Sequence, residues 1–218
     1  MASIVDICNM ALGHIGARQQ INSIAPPDGS VEAAYCARFY PPARVEALES
    51  FNWAFAKRRA ALASPANVSD KWLYAYSLPS DCVKARRVLQ LNYSTGTIFQ
   101  DADTDPIWAT YEQRFDERGS ADFEIEGQVL FTNEPDAVLL YTVDVTDPTK
   151  FTPRFVSALS MYLAAYLCGP IIKGLDGAKA AAQWRQAAAA FLDKAAASEA
   201  NASSERNDHI PQHIRARN

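Results

Sequence analysis

Segments of helical period and segments of strand period occupy separate stretches of this chain, and that partition constrains the fold more than any single motif. At the start, Ser3 and Asp6 give a capping signature ahead of Ile4, Ile7, Cys8, Ala11 and Leu12, which recur at helical spacing. Gly13 or Gly16 suits the end of that helix. The loop "SIAPPDGS" follows. A second helical region reads from about 30 to 62, with Val31, Ala34, Tyr35, Phe39, Val45, Leu48, Phe51 and Phe55 as its apolar series. Pro41 and Pro42 lack the amide a helix interior needs, which predicts two helices with a bend at Tyr40. "WLYAYSLPSDC" then reads as an extended aromatic segment.

From about residue 85 to 147 the character changes. "TGTIFQD", "IWATYEQRF", "ADFEIEG", "QVLFTN" and "AVLLYTVDV" are short β-rich runs separated by Gly, Asp and Asn, and "EIEGQVLF" reads as a hairpin turning at Gly127. Helix returns at Thr152 with Phe155, Leu159, Tyr162, Leu163, Tyr166 and Leu167, ending at Gly169–Pro170 or just beyond. The last helix is rich in alanine, the best helix former, and Ala181, Trp184, Ala188, Phe191, Leu192 and Ala195 mark its inner side.

This order predicts an α+β fold. Residues 1–84 and 148–203 form a helical bundle, 85–147 an inserted small antiparallel β-module, and 204–218 a flexible C-terminal tail. Two separate domains are the rival arrangement. The length, 218 residues, is enough for a substantial core in either case.

The stretch "ESFNWAFAKRRAAL" carries the sharpest functional question. Aromatic rings beside Lys57, Arg58 and Arg59 would suit bases and phosphates. On a helix, however, Phe51 and Phe55 share a face with Leu48 and Leu62, and the cations fall where the helix dipole is negative. A core helix with a charged end is the expected form, with Phe55 as a large core anchor. A nucleic-acid surface and a charged contact to another protein are the alternatives. A formal net charge of −4 argues against a protein built to grip duplex DNA.

Other candidates are weaker. Asp101, Asp103, Asp105 and Glu112 mimic positions of a calcium loop, but Pro106 stands where the tight turn needs glycine, so an acidic solvated turn is expected. Asp122, Glu124 and Glu126 alternate as on a solvated sheet face, a pattern that paired glycosidase carboxylates also produce. His14 has no local partner for a catalytic dyad. The four cysteines, Cys8, Cys36, Cys82 and Cys168, form no metal or redox motif and read as buried apolar residues. No apolar run reads as the roughly 20 residues of a membrane span. The first residues lack the basic start of a secretory signal, so a reducing cytoplasm is the expected place of synthesis. The tail carries Ile210, Pro211, Ile214, Arg215 and Arg217, suited either to a disordered end or to a segment that orders on a partner.

Five motifs in order, "ICNMALGHIGA", "YCARFYPPARVEALESFNWAFAKRRAAL", "WLYAYSLPSDCVKARRVL", "FEIEGQVLFTNEPDAVLLYTVDVTD" and "FTPRFVSALSMYLAAYLC", resemble the tail tubular protein A family, the head-to-tail adaptors of short-tailed bacteriophages. The resemblance spans about Ile4 to Ala196. It implies a structural virion protein, a dodecameric ring between the portal protein and the tail nozzle protein, with double-stranded DNA passing through its lumen. It implies assembly in the host cytoplasm, no membrane, no cofactor and no active-site residues. By the same resemblance the tail residues Ile210, Pro211, Ile214, Arg215 and Arg217 reach the portal. The acidic strands and aromatics leave a tail-associated carbohydrate-active hydrolase as the other reading, and a stand-alone nucleic-acid-binding protein as a third.

Overall fold

A computed structural model describes the backbone of residues 2–64, 69–92 and 114–202, and the side chains of all these except 90–92, 114–119 and 195–202. The fold is α+β. Its contacts divide it into a helical unit, Met1–Ala47 with Phe151–Asn218, and a strand-bearing unit, Leu48–Lys150.

In the helical unit, α1 (Ile4–His14) opens with a capping box: Ser3 Oγ accepts the Asp6 N–H at 3.1 Å and Asp6 Oδ2 accepts the Ser3 N–H at 2.8 Å. Its inner face is Ile7, Cys8, Ala11 and Leu12. Ser30 Oγ accepts the Ala33 N–H at 3.1 Å at the start of α2 (Val31–Ser50).

Helix α2 runs through Pro41 and Pro42 as one element, which corrects the expected division at Tyr40. Both prolines are exposed, on the side where water can replace the missing donors. The buried residues Ala33, Cys36, Tyr40, Ala43 and Ala47 keep helical spacing across them. Of the bulkier residues assigned inward, Leu48 is fully buried and Tyr35 and Phe39 half-buried, but Val31 is 63% exposed and Val45 37%.

Thr152 caps α3 (Pro153–Ile172), its Oγ1 accepting the Phe155 N–H at 3.3 Å, with Pro153 at the first helical position. By length and composition alone α3 could cross a membrane, with a mean hydropathy of 1.7 over its most apolar window, contrary to the reading that no run is long enough. In the fold it is a core helix, 61% of that window being buried within the protein. Helices α1 and α4 (Gly174–Ala202) both pack on it. Helix α4 comes close to α3 at Gly177, where a Cβ would stand 2.9 Å from the Cys168 carbonyl oxygen.

The strand-bearing unit holds β1 (Lys57–Ala61), β2 (Tyr74–Ser77), β3 (Cys82–Asn92), β4 (Arg114–Ala121), β5 (Phe123–Glu126), β6 (Val129–Thr132) and β7 (Val138–Val143). They form two antiparallel sheets in the orders β1-β7-β3-β4 and β2-β6-β5. Ser77 N–H donates to the Ala63 carbonyl at 2.9 Å, joining the continuation of β1 to β2. Leu89, Leu130, Leu139, Tyr141 and Trp53 are the large residues of its core. The β5–β6 hairpin turns at Gly127, whose φ of +60° suits glycine.

Three expectations change here. Strands begin before residue 85, since β1, β2 and the first residues of β3 lie upstream of it. The segment after Ser50 is not helical: a short 3-10 turn, Ala54–Ala56, leads directly into β1. Phe55 is half-buried, and the anchor is Trp53, 1% exposed. Of the two runs read as strands at 95–101 and 107–115, the first and residues 107–113 of the second lie outside the described residues, as does the tail at 204–218, while Arg114 and Phe115 begin β4.

Replacing Trp53 by Ala should lower unfolding free energy by about 3–5 kcal/mol in chemical denaturation, the cost of emptying a large aromatic site. Phe55→Ala should cost distinctly less. Gly177→Ala should destabilise by about 1–3 kcal/mol despite alanine's better helix propensity, because the added methyl meets backbone rather than a yielding side chain. A raised melting temperature for Gly177→Ala would show that α3 and α4 are free to separate.

Candidate functional site

The aromatic residues of "ESFNWAFAKRRAAL" lie in the turn between α2 and β1, and its cations lie on β1 directly after it. Phe51 meets the Trp53 ring edge-on at 4.9 Å between centroids, and Phe55 lies 6.0 Å from it on a tilt. The Trp53 carbonyl accepts from Arg86 Nη2 at 2.8 Å, and Arg86 Nε donates to buried Thr142 Oγ1 at 2.8 Å. Burial lowers the Arg86 pKa from its ordinary value, and these two acceptors compensate the half-buried guanidinium. Trp53 is thus a packing residue with no face open to a base.

Lys57, Arg58 and Arg59 lie exposed on the edge strand β1. Arg58 pairs with Asp81 at 2.6 Å, and Asp81 also accepts the Tyr141 hydroxyl at 3.0 Å. Cations on an edge strand oppose pairing with another sheet. Beside them a cleft of about 210 Å³ is lined by Phe55, Lys57, Arg58, Asp144, Asp147 and Lys150, among others, so its lining mixes cations with carboxylates. That mixture offers no concentrated field for phosphate.

His14 does find a serine partner in the fold. Its Nε2 lies 3.1 Å from Ser160 Oγ, and its ring meets Trp184 on a tilt at 4.6 Å between centroids. Ser160 is fully buried, and its hydroxyl donates to the Ser157 carbonyl at 2.8 Å. With its one proton so used, Ser160 accepts from the imidazole. A nucleophilic pair needs the opposite polarity, the hydroxyl donating to the base. The contact ties α1 to α3.

Of the alternating carboxylates, the middle one is engaged locally. Glu124 Oε2 accepts from Lys71 Nζ at 2.7 Å and from Trp72 Nε1 at 3.0 Å. These two bonds hold its carboxyl below the usual range, whereas a glycosidase acid needs a raised pKa. Among the described residues no three His, Cys, Asp or Glu side chains gather as a metal site. The acidic turn Asp101–Asp105, Glu112 and the five tail residues Ile210, Pro211, Ile214, Arg215 and Arg217 lie outside the described residues.

A surface that sequence reasoning missed lies in the helical unit. Tyr35 and Phe39 of α2 and Tyr166 of α3 form a ladder of near-parallel rings, at 6.3 and 5.8 Å between centroids. Arg38 lies over Phe39 at 5.7 Å and Arg185 of α4 over Tyr166 at 5.3 Å. Burial and a hydrogen bond to the Glu46 carboxylate raise the Tyr166 pKa, with Arg185 opposing them. Tyr166 and Arg185 also wall a groove of about 500 Å³ between α3 and α4, floored by alanine and glycine. Its sequence signal was slight: the pair Tyr35 and Phe39 at helical spacing, with Arg38 beside it. The other half of the surface arrives from two distant helices.

Neither protein-family models nor curated proteins yield a match to this chain.

Burial lowers the His14 pKa, so unfolding releases a more basic imidazole. A folded pKa below the unfolded value contributes stability above about pH 6.5 that is lost as pH falls through the folded pKa. An NMR titration should place His14 below its ordinary value, and His14→Gln should flatten stability against pH in that window. A midpoint at or above the ordinary value would contradict this environment.

Proposed function

We propose that this chain is a head-to-tail adaptor of a short-tailed bacteriophage, a structural protein that forms a ring between the portal and the tail nozzle and lines the DNA channel. The observation that carries the reading is the ordered set of five motifs between Ile4 and Ala196. The architecture supports it: helices from both ends of the chain belong to one unit, and the strands lie between them in sequence. So does the charge. A net charge of −4 suits a lumen along which DNA slides, since each phosphate neutralised by a cation would retard it. The proposed partners are further copies of this chain, the portal protein and the nozzle protein, and the proposed location is the head–tail junction of the virion after assembly in the host cytoplasm.

In this reading the segment after Ser203 is the portal contact, with Ile210, Pro211 and Ile214 as apolar anchors and Arg215 and Arg217 as polar clamps. Truncation after Ser203 should leave the melting temperature within a degree or two while reducing co-sedimentation with the portal from the same genome by about tenfold or more. Unchanged portal binding by the truncated chain would remove the tail from this role.

A further inference from the structure

The groove between α3 and α4 has the composition of a protein-docking surface. Its floor, including Ala165, Gly169, Ala178 and Ala181, brings no bulk above the helix backbones. Its walls are Tyr166 and Arg185, types that dominate binding energy at protein interfaces. Arg185 is exposed, with its guanidinium carbon 5.3 Å from the centre of the Tyr166 ring, a cation–π contact that restrains a side chain whose planar fork suits a carboxylate. Around Gly174 at one end, Leu175 is 80% exposed and Ile172 39%. Apolar exposure of that size beside an ordered arginine calls for a partner that is both apolar and acidic.

The same chain carries such a segment. The β5–β6 hairpin ends in an exposed turn at Gly127, and β5 is an edge strand. Ile125 is 40% exposed, an unusual position for isoleucine on a strand, and exposed Glu124 and Glu126 flank it. Lys71 and Trp72 engage Glu124, leaving Glu126 as the carboxylate nearest the tip. A hairpin entering tip-first presents both strand faces, with isoleucine on one and glutamate on the other.

We propose that the Tyr166–Arg185 groove of one copy receives the acidic Phe123–Gly127 hairpin of a second copy, Ile125 covering the exposed Ile172 and Leu175 and Glu126 pairing with Arg185. Two different surfaces that complement each other make a head-to-tail contact, which propagates until it closes into a ring. The choice of a second copy as occupant rests on the ring reading above.

The test is carried out on the full chain. A benzophenone amino acid replaces Ile125 in an equal mixture of ¹⁴N- and ¹⁵N-labelled protein, irradiated free at high concentration and on the portal. Mixed-isotope cross-links should map to residues 165–185. Arg185→Glu and Glu126→Arg should each weaken assembly by about tenfold, and the two together should restore it. Rings that form normally with either single reversal, or cross-links that map elsewhere, overturn the contact and leave the ring reading standing. Cross-links in the groove without any ring on the portal uphold the contact and overturn the ring reading. Neither association nor cross-linking, free or on the portal, overturns both.

Discussion

Helix α3 needs cover on almost every side, and the helical unit is organised around that need. Phe155, Leu159, Leu163 and Leu167 are fully buried, and Val156, Tyr162 and Ala165 nearly so. Left in water, each large side chain would forgo about 1.5–3 kcal/mol. Helix α1 supplies one cover and α4 another, and the glycine at 177 lets the second backbone come close. On another flank its Tyr166 joins the half-buried ring ladder of Tyr35 and Phe39. Because α4 crosses α3 on small residues, the two leave a groove rather than a sealed seam, and the candidate docking surface is a consequence of that packing.

The strand-bearing unit solves a different problem with one residue. Its entry segment places Trp53 in the core and satisfies the tryptophan's carbonyl with Arg86, which in turn bonds Thr142 of β7. The turn that inserts the indole also leads into Lys57, Arg58 and Arg59 on the edge of the sheet, so packing and surface charge follow from one short segment. The electrostatics of this rim are internally compensated by Asp81 and by the carboxylates of the neighbouring cleft. Such a surface is poor ground for a DNA grip.

Much of this was legible in the residues. The capping box at Ser3, the hairpin at Gly127 and the inner stripe of α4 through Ala188 and Leu192 were all marked by local chemistry that tertiary packing did not overrule. The turn after Ser50 was not. Phe51 and Phe55 have helical spacing while Phe51, Trp53 and Phe55 alternate, so one short run fits both periods, and the tertiary demand for a buried indole decides between them. The prolines of α2 misled for a related reason: their cost depends on which side of the helix they face, and an exposed side lets water take up the loss. Small residues hid the buried stripe of α2 and the groove alike. Ala33, Ala43 and Ala47 carry little hydrophobic signal, and the meeting of Phe39, Tyr166 and Arg185 has no signature within any single window.

The central claim is that this chain forms a ring on a portal. Electron microscopy of the chain mixed with the portal protein from the same genome addresses it most directly. The account predicts a portal ring bearing a second, stacked ring coaxial with its channel. Bare portal rings, with this chain remaining unassembled in the supernatant, would contradict it.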